Sequence, residues 1–239
     1  MRRRAALHAR FAPQIAFLRA RLARDGRLGL RLTLSVLLFI GATWLFAGIA
    51  EDVVTGDPLI DADRKISAWF HAHATPALTW WMLFVTNAHG TIAISVMGLA
   101  FGLYLWRRRL WYWLLTLAFV LPGGMLLNLL LKQIFRRDRP SLDTPLLSLS
   151  TYSFPSGHVT GATLFYGLLA AFLASGIPAW GSRAGVFLFA GCLVIVVGIS
   201  RIYLGVHYFS DVAAAAAWSV AWMVMWLVAL DALRPQYAA

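Results

Sequence analysis

Long runs of apolar residues constrain this chain more than any other feature of its sequence. Of its 239 residues, 60% are hydrophobic and 13% are charged, and the mean hydropathy is +0.71. A helix needs about 20 predominantly apolar residues to cross the hydrocarbon core of a bilayer. The runs therefore predict an all-α integral membrane bundle of six transmembrane helices, with short surface helices on the outer side. The predicted spans are residues 30–50, 91–106, 111–131, 158–174, 185–199 (to 204 if the fifth span is longer) and 211–230.

The remaining segments define the domain organisation. Residues 30–232 form one membrane domain, preceded by a basic leader, residues 1–29, and followed by a short tail, residues 233–239. The apolar run after the leader is too long for the 7–15-residue core of a cleavable signal, so the leader is expected to be retained. Residues 14–24 mix apolar and arginine residues, which fits either an interfacial amphipathic helix or a basic tether. Residues 65–85 contain three tryptophans typical of interface anchors and are predicted to lie on the outer membrane surface.

Charged residues predict the orientation of the chain. Basic residues concentrate in the cytoplasmic loops of membrane proteins. With the leader in the cytoplasm and each span reversing direction, 14 of the 21 basic residues lie inside and eight of the ten acidic residues lie outside. Both termini are thus expected in the cytoplasm of a bacterial-type inner membrane. The net charge of +11 is explained by this asymmetry, so no nucleic-acid partner is expected, and the single Cys192 excludes an intrachain disulfide.

The first motif, KQIFRRDRP at residues 132–140, keeps basic residues on the outer side against the general bias. Lys132 and Arg139 are nearly two helical turns apart, so their side chains point the same way if the third span continues beyond the membrane. Pro140 disfavours helical conformation at Arg139, which lets that side chain turn toward a ligand. Basic residues at a helix end are also ordinary interface anchors, and this motif alone does not separate the two interpretations.

The second motif is PSGH, residues 155–158, at the start of the fourth span. Ser156 suits the N-cap position, and Gly157 allows a ligand to approach the backbone. A helix N-terminus presents unpaired N–H groups and the positive end of the helix dipole, which favours an anion. His158 adds a group that carries a proton near neutral pH. A capped helix start with an incidental histidine is the alternative.

The third motif, SRIYLGVHYFSD at residues 200–211, joins the fifth and sixth spans. His207 and Asp211 are four positions apart and share a helix face, so the carboxylate can accept a hydrogen bond from one imidazole nitrogen. The other nitrogen then keeps its lone pair, as in a nucleophile whose base is oriented by a partner. A purely structural pair has the same spacing.

The predicted topology places all three motifs at the outer surface, so they can converge on one site. Three cations, a helix N-terminus and two histidines describe a phosphate site in which one histidine attacks and the other protonates the leaving group. A metal site is the rival interpretation. It is disfavoured because two histidines and one aspartate are few ligands, and because Lys132, Arg139 and Arg201 repel a cation.

Together the motifs resemble the signature of the type 2 phosphatidic acid phosphatase family: Lys-x6-Arg-Pro, Pro-Ser-Gly-His and Ser-Arg-x5-His-x3-Asp. The sequence matches every signature position, and the resemblance covers about residues 61–230. It implies a metal-independent membrane lipid phosphatase in which His207 forms a phosphohistidine, Asp211 orients it and His158 protonates the leaving group. No metal or organic cofactor is implied. The phosphoryl oxygens would be held by Lys132, Arg139, Ser156, Gly157 and Arg201.

The expected partners are membrane lipids and a substrate carrying a phosphate or diphosphate at the outer headgroup level. Undecaprenyl diphosphate, phosphatidic acid, phosphatidylglycerol phosphate and lipid A phosphates all fit, and undecaprenyl diphosphate is favoured because it is released on the outer face. The alternatives are a non-catalytic lipid-phosphate binder or transporter and a vanadate-dependent haloperoxidase-like enzyme. Retention of both histidines argues against the first alternative, and the six spans argue against the second. Oligomeric state stays open, as do the roles of His71, His73 and His89, which either line a lipid entrance or serve surface and packing roles.

Overall fold

The structure, a computed structural model, describes residues 29–56, 58–141, 146–147 and 149–233. Within these residues the chain is all-helical and contains no strand, which confirms the predicted fold class. The predicted leader helix, nearly all of the tail, Arg234 and part of the loop before the second motif lie outside the described residues. The helices are α1 (Leu30–Thr55), α2 (Pro58–Ala72), α3 (Pro76–Ala88), α4 (Thr91–Arg107), α5 (Trp111–Phe135), α6 (Gly157–Ser175), α7 (Trp180–Tyr203) and α8 (Phe209–Ala232).

Five helices are long and apolar enough to cross a membrane, namely α1, α5, α6, α7 and α8. They correspond to the predicted first, third, fourth, fifth and sixth spans. Helix α7 is the one that differs most in length, because it has 24 residues and continues through the arginine of the third motif to Tyr203. The predicted fifth span, residues 185–199 or up to 204, therefore takes its longer form.

The second crossing is built differently from the prediction. Helix α4 has only 17 residues, and it reaches spanning length only together with α3, from which it is bent by 46° at a short break. Thr75 caps α3 by accepting a hydrogen bond from the Leu78 amide, and Gly90 is the N-cap of α4. Residues 65–85, predicted to lie on the outer surface, include most of α3, which by length and composition forms with α4 either one broken span or a re-entrant segment. Counting the pair as one crossing gives six.

Helix α6 lies at the centre of the bundle and packs against α4, α5, α7 and α8. Its Leu164 and Leu168 are fully buried in a cluster that also contains Ile94 and Leu117 from the neighbouring helices. Close approach of α5 to α6 requires Gly124, since a Cβ atom there would lie 2.4 Å from Leu164 Cδ1. Such tight packing of a central helix fixes the position of its N-terminus, where the second motif lies.

The end of α5, the start of α6 and the α7–α8 turn lie together at one end of the bundle. Helix α5 ends at Phe135, and Arg136 follows in a left-handed conformation with φ 46°. The chain then returns toward α6, as the Ser153 amide donates to the Arg137 carbonyl at 2.8 Å. The Ser156 amide donates to the Asp211 carbonyl at 3.1 Å, which joins α6 to the start of α8. The three sequence motifs therefore meet in space.

Candidate active site

Lys132 occupies the last turn of α5 and is buried. Its Nζ atom donates to the carbonyl oxygens of Tyr152 (2.6 Å) and Ser153 (3.1 Å), in the segment that leads into the second motif. A buried ammonium group needs such acceptors, because its desolvation is costly. These bonds fix the lysine beside the start of α6.

Arg139 reaches the site from a loop and not from a helix. Lys132 and Arg139 would share one helix face only if α5 continued through both residues. It does not, because Arg136 has a left-handed conformation and ends α5 four positions after Lys132. The Arg139 guanidinium instead donates to the Thr151 carbonyl from Nε at 2.6 Å and to the Val206 carbonyl from Nη1 at 2.5 Å. Its Nη1 atom lies 3.4 Å from Nε2 of His207. Lys132 and Arg139 therefore both reach the site as predicted, but Arg139 does so from the loop after α5.

The second motif forms the start of α6 as predicted, but its serine does not cap the helix. Ser156 has the N-cap position without a side-chain capping bond, and its buried Oγ has no hydrogen-bond partner among the described residues. Gly157 allows close packing against α5, since a Cβ atom there would lie 3.3 Å from Oδ1 of Asn128. His158 follows in the first turn of α6, with Nε2 close to Gly90 at the α3–α4 break.

Arg201 is the most buried cation of the site, with 1% of its surface exposed. Its Nη1 donates to Oγ1 of Thr86 on α3, whereas Nε and Nη2 have no partner among the described residues. Its backbone carbonyl accepts from the His207 amide at 3.3 Å, which holds the main chains of residues 201 and 207 in the same turn. A buried guanidinium with two unused donor nitrogens is typical of an anion site.

His207 and Asp211 form the predicted pair. Nδ1 of His207 lies 3.4 Å from Oδ2 of Asp211, and the same oxygen accepts from the Tyr208 amide at 2.9 Å. The adjacent carboxylate favours the tautomer with the proton on Nδ1, which leaves a lone pair on Nε2. Burial lowers the pKa of His207 well below its ordinary value of 6.5, and the nearby Arg201, Lys132 and Arg139 lower this pKa further. The imidazole is therefore neutral and carries an available lone pair.

Several residues of the site were not predicted from the sequence. Arg137 donates to Asp211 (2.6 Å) and to Asp63 (2.8 Å), although the sequence marked it only as a basic residue on the unexpected side. Asn128 donates to the Pro155 carbonyl at 3.3 Å and to Oγ1 of Thr160 at 3.0 Å, and so braces the start of α6. The remaining unpredicted residues, Thr86, Ser210 and the carbonyls of residues 151–153, carry no sequence signal because they contact the site only through the fold.

Of the three histidines outside the motifs that the structure describes, His71, His73 and His89, two have packing or surface positions. His89 lies between the Val85 carbonyl and the Tyr166 hydroxyl, each at 2.8 Å from one of its ring nitrogens. His73 is exposed, stacks on Trp69 and donates to its carbonyl at 2.8 Å. Among the described residues there is no group of three or more histidine, cysteine or acidic residues placed to hold a metal ion.

Comparison with known proteins identifies the family of the chain. The sequence model of the PAP2 superfamily matches residues 109–234. Phosphatidylglycerophosphatase B of Bacillus subtilis (strain 168) is 38% identical over 172 residues, which are 71% of this chain and 83% of that relative. Decaprenylphosphoryl-5-phosphoribose phosphatase of Mycobacterium tuberculosis (strain ATCC 25618 / H37Rv) is 36% identical over 118 residues, 46% of this chain and 56% of that relative.

Two solved structures have the same architecture. The crystal structure of a transmembrane PAP2 type phosphatidylglycerolphosphate phosphatase from Bacillus subtilis has a TM-score of 0.65 and 30% identity, over 85% of this chain and 98% of that one. Aquifex aeolicus LpxE has a TM-score of 0.55 and 21% identity, over 70% and 94% of the two chains, and supports the fold alone. The bundle and its relatives define a multi-pass membrane phosphatase. The chain belongs to the PAP2 superfamily, which confirms the predicted family and the predicted class of enzyme, a hydrolase of lipid phosphates.

The buried position of His207 predicts its protonation behaviour. Because its pKa is lowered, the imidazole stays neutral above that value and takes up a proton only when the pH falls well below 6.5. NMR titration of histidine-labelled protein in detergent, with the His207 signal assigned by its loss in His207→Gln, measures this directly. Lys132→Met removes a nearby cation and should raise the pKa of His207. A His207 titration at or above pH 6.5 in the unsubstituted protein would contradict this electrostatic description.

Proposed function

We propose that the protein hydrolyses a lipid phosphate monoester or diphosphate through a phosphohistidine on His207. The observation that carries the proposal is an Asp211-oriented imidazole whose pKa is lowered by burial and by the charge of the nearby, buried Arg201, while two Arg201 donor nitrogens have no partner among the described residues. Neither feature is needed for a merely structural pair. Together they match a nucleophile facing a site for the oxygens of its phosphoryl substrate.

In the proposed reaction, Nε2 of His207 attacks phosphorus and the bond from phosphorus to the leaving oxygen breaks. His158 donates a proton to that oxygen, which departs as an alcohol or a phosphate. Water then attacks the phosphohistidine and passes a proton to His158, so that inorganic phosphate leaves and His207 returns to its neutral state. Asp211 stabilises the positive charge of the phosphorylated ring.

The phosphoryl oxygens would be held by groups that the structure brings around this position. Lys132, Arg139 and Arg201 supply positive charge, and Ser156 supplies its hydroxyl, which has no partner among the residues that the structure describes. The first amides of α6, from Gly157 onward, supply N–H donors at the positive end of the helix dipole. Three cations and a helix N-terminus compensate the charge of the transferring group, which is the task that divalent ions perform in other phosphoryl-transfer enzymes.

An apolar groove of about 860 Å³ between α4 and α5 fits the hydrocarbon chain of such a lipid. It extends along α4 from Thr91 to Trp106, which is about 22 Å at the rise of an α-helix. Its Ile94 and Met125 lie within contact distance of a Cβ atom built on Gly161, one turn after His158. The groove therefore reaches the second turn of α6, one turn after His158, and continues along the apolar α4 and α5.

Phosphatidylglycerol phosphate is the substrate we propose first. The Bacillus subtilis relative, which matches 71% of this chain, is named for this lipid class, and the Mycobacterium tuberculosis relative is named for a polyprenyl phosphosugar. A glycerophospholipid and a polyprenyl lipid share a long apolar chain and a terminal phosphate, which the groove and the cations would recognise. Undecaprenyl diphosphate, favoured from the sequence, appears in neither name and becomes the second substrate to assay.

The roles of the two histidines can be separated by the leaving group. His207→Gln should abolish phosphate release and the acid-labile phosphoenzyme. His158→Gln should slow hydrolysis of a monoester, whose alkoxide must be protonated, by about 10²- to 10⁴-fold, and should slow hydrolysis of a diphosphate less. Phosphate release from detergent-solubilised protein measures both, with the exposed His73→Gln as the matched control. Normal turnover in His207→Gln would refute the mechanism, and equal losses of His158→Gln on both substrates would refute the acid role.

The groove is tested by filling it. Ala118→Phe places a phenyl ring among the groove residues, so a long acyl chain loses contacts worth about 0.8 kcal/mol per methylene. The expected result is a rise in KM of roughly tenfold or more for a long-chain phosphatidylglycerol phosphate, with little change for a water-soluble phosphate ester. Ala47→Phe, on the exposed side of α1, is the matched control. An equal effect of Ala118→Phe on both substrates would show that the chain binds elsewhere.

We also propose that the site faces the periplasm, as the charge asymmetry of the loops indicates. In a Cys192→Ser background, Ser150→Cys lies beside the site and Arg108→Cys lies at the opposite end of the bundle. A membrane-impermeant thiol reagent applied to spheroplasts should label the first variant, and should label the second only after the membrane is opened. The reverse pattern would place the site in the cytoplasm.

A further inference from the structure

Arg137 forms a bridge between two buried carboxylates on different helices. Its Nη1 donates to Oδ1 of Asp211 at 2.6 Å, and its Nη2 donates to Oδ2 of Asp63 at 2.8 Å. Asp63 belongs to α2, outside the span of the PAP2 match, and both carboxylates have no exposed surface. A buried carboxylate is retained only where charge and hydrogen bonds compensate its desolvation. The bridge therefore carries a desolvation cost in folding free energy. It contacts the carboxylate that faces Nδ1 of His207, which indicates a role at the active site.

Ser210 links the same groups a second time. Its hydroxyl accepts from Nη1 of Arg137 at 2.6 Å and hydrogen-bonds to Oδ2 of Asp63, while its amide donates to Oδ1 of Asp63 at 2.9 Å. The guanidinium Cζ atom also lies over the Tyr208 ring, 4.3 Å from its centre. Arg137 is thus held in one orientation on several sides. Because Arg137 donates to Asp211, a fixed Arg137 also fixes the orientation of the Asp211 carboxylate that faces His207.

The two oxygens of Asp211 have separate tasks. Oδ1 accepts from Arg137, whereas Oδ2 accepts from the Tyr208 amide and faces Nδ1 of His207. An arginine paired with Asp211 alone would cancel the negative charge that His207 needs when its ring becomes cationic. Because Asp63 shares the guanidinium, the three groups together keep a net charge of −1. The bridge can therefore orient Asp211 without neutralising it.

Resting on the proposed function, we propose that Arg137 and Asp63 are positioning residues that set the orientation and the effective charge of Asp211 for the His207 nucleophile. They do not touch the substrate, so they act on kcat and on its pH dependence and leave KM nearly unchanged. The other ionisable groups around His207 are Lys132 from α5, His158 from α6, Arg201 from α7 and Arg139 from the loop, and all of them stay in place in the variants below.

Opposite charge changes in one bridge should shift the pH profile in opposite directions. Asp63→Asn removes a negative charge, which makes His207 harder to protonate and moves the acid limb of kcat to lower pH. Arg137→Gln removes a positive charge and moves the acid limb to higher pH. Each variant should lower kcat about 10- to 100-fold, because a charged buried hydrogen bond is lost. The double variant restores the net charge, so its acid limb should return toward that of the unsubstituted protein.

Matched controls are available on the same segments. Asp61→Asn lies on α2 but is exposed, with Arg64 as its ion-pair partner at 3.7 Å, and Arg136→Gln lies next to Arg137 with an exposed side chain. Both should keep kcat and the acid limb. Ser210→Ala removes a link of the bridge without changing charge, so it should lower kcat about 3- to 10-fold with an unshifted limb. This variant keeps the test decisive if a charge variant does not fold.

The outcomes distinguish this inference from the proposed function. Opposite limb shifts with unchanged KM and a measurable folded fraction support the bridge as a positioning device. If the acid limbs of kcat do not move, or move in the same direction in both variants, the positioning role of the bridge is refuted. Turnover that still depends on His207 would then leave the proposed function intact. An undiminished kcat in Ser210→Ala also refutes it. Loss of the His207 requirement itself would overturn the proposed function first, and this inference with it.

Discussion

Asp211 is a carboxylate with no exposed surface, and the geometry of the site depends on its contacts. Its side chain faces His207 and accepts from Arg137, and its backbone carbonyl accepts from the amide of Ser156 at the start of α6. One residue therefore connects the proposed nucleophile, the loop after α5 and the helix N-terminus proposed to bind phosphate. Burial strengthens these interactions, because a charge in a medium of low dielectric is costly to leave uncompensated.

The charges of the site are divided into two layers around His207. Nε2 lies 3.4 Å from Nη1 of Arg139, and Arg201 and Lys132 add positive charge nearby. On the Nδ1 side, Asp211 and Asp63 share one arginine. This separation suits a ring that must attack an anion and then carry a positive charge. In the proposed mechanism, the cations would attract and orient the phosphoryl group, while the carboxylates would stabilise the phosphorylated ring.

The sequence predicted what depends on local pattern. Apolar runs predicted the membrane crossings, because the length of an apolar run is a property of one segment. The three motifs predicted every residue of the proposed phosphate site. The bent α3–α4 pair was missed because each half is too short alone and the break follows from packing. Arg139 was expected to reach the site along a helix because no local signal marks a left-handed Arg136. Asp63 was missed because its contact with Arg137 spans 74 positions, which periodicity does not record.

The residues that build the candidate site extend beyond the segment matched by the family model. All signature residues lie within 109–234, yet Arg201 bonds to Thr86 on α3, and Arg137 bonds to Asp63 on α2. One wall of the apolar groove is α4, which also precedes residue 109. The matched segment contains the groups proposed to react. The preceding helices compensate the buried charges of Arg201 and Arg137 and supply one wall of the proposed lipid groove. Since an uncompensated buried charge costs several kcal/mol, the early helices are part of what makes this arrangement of cations stable.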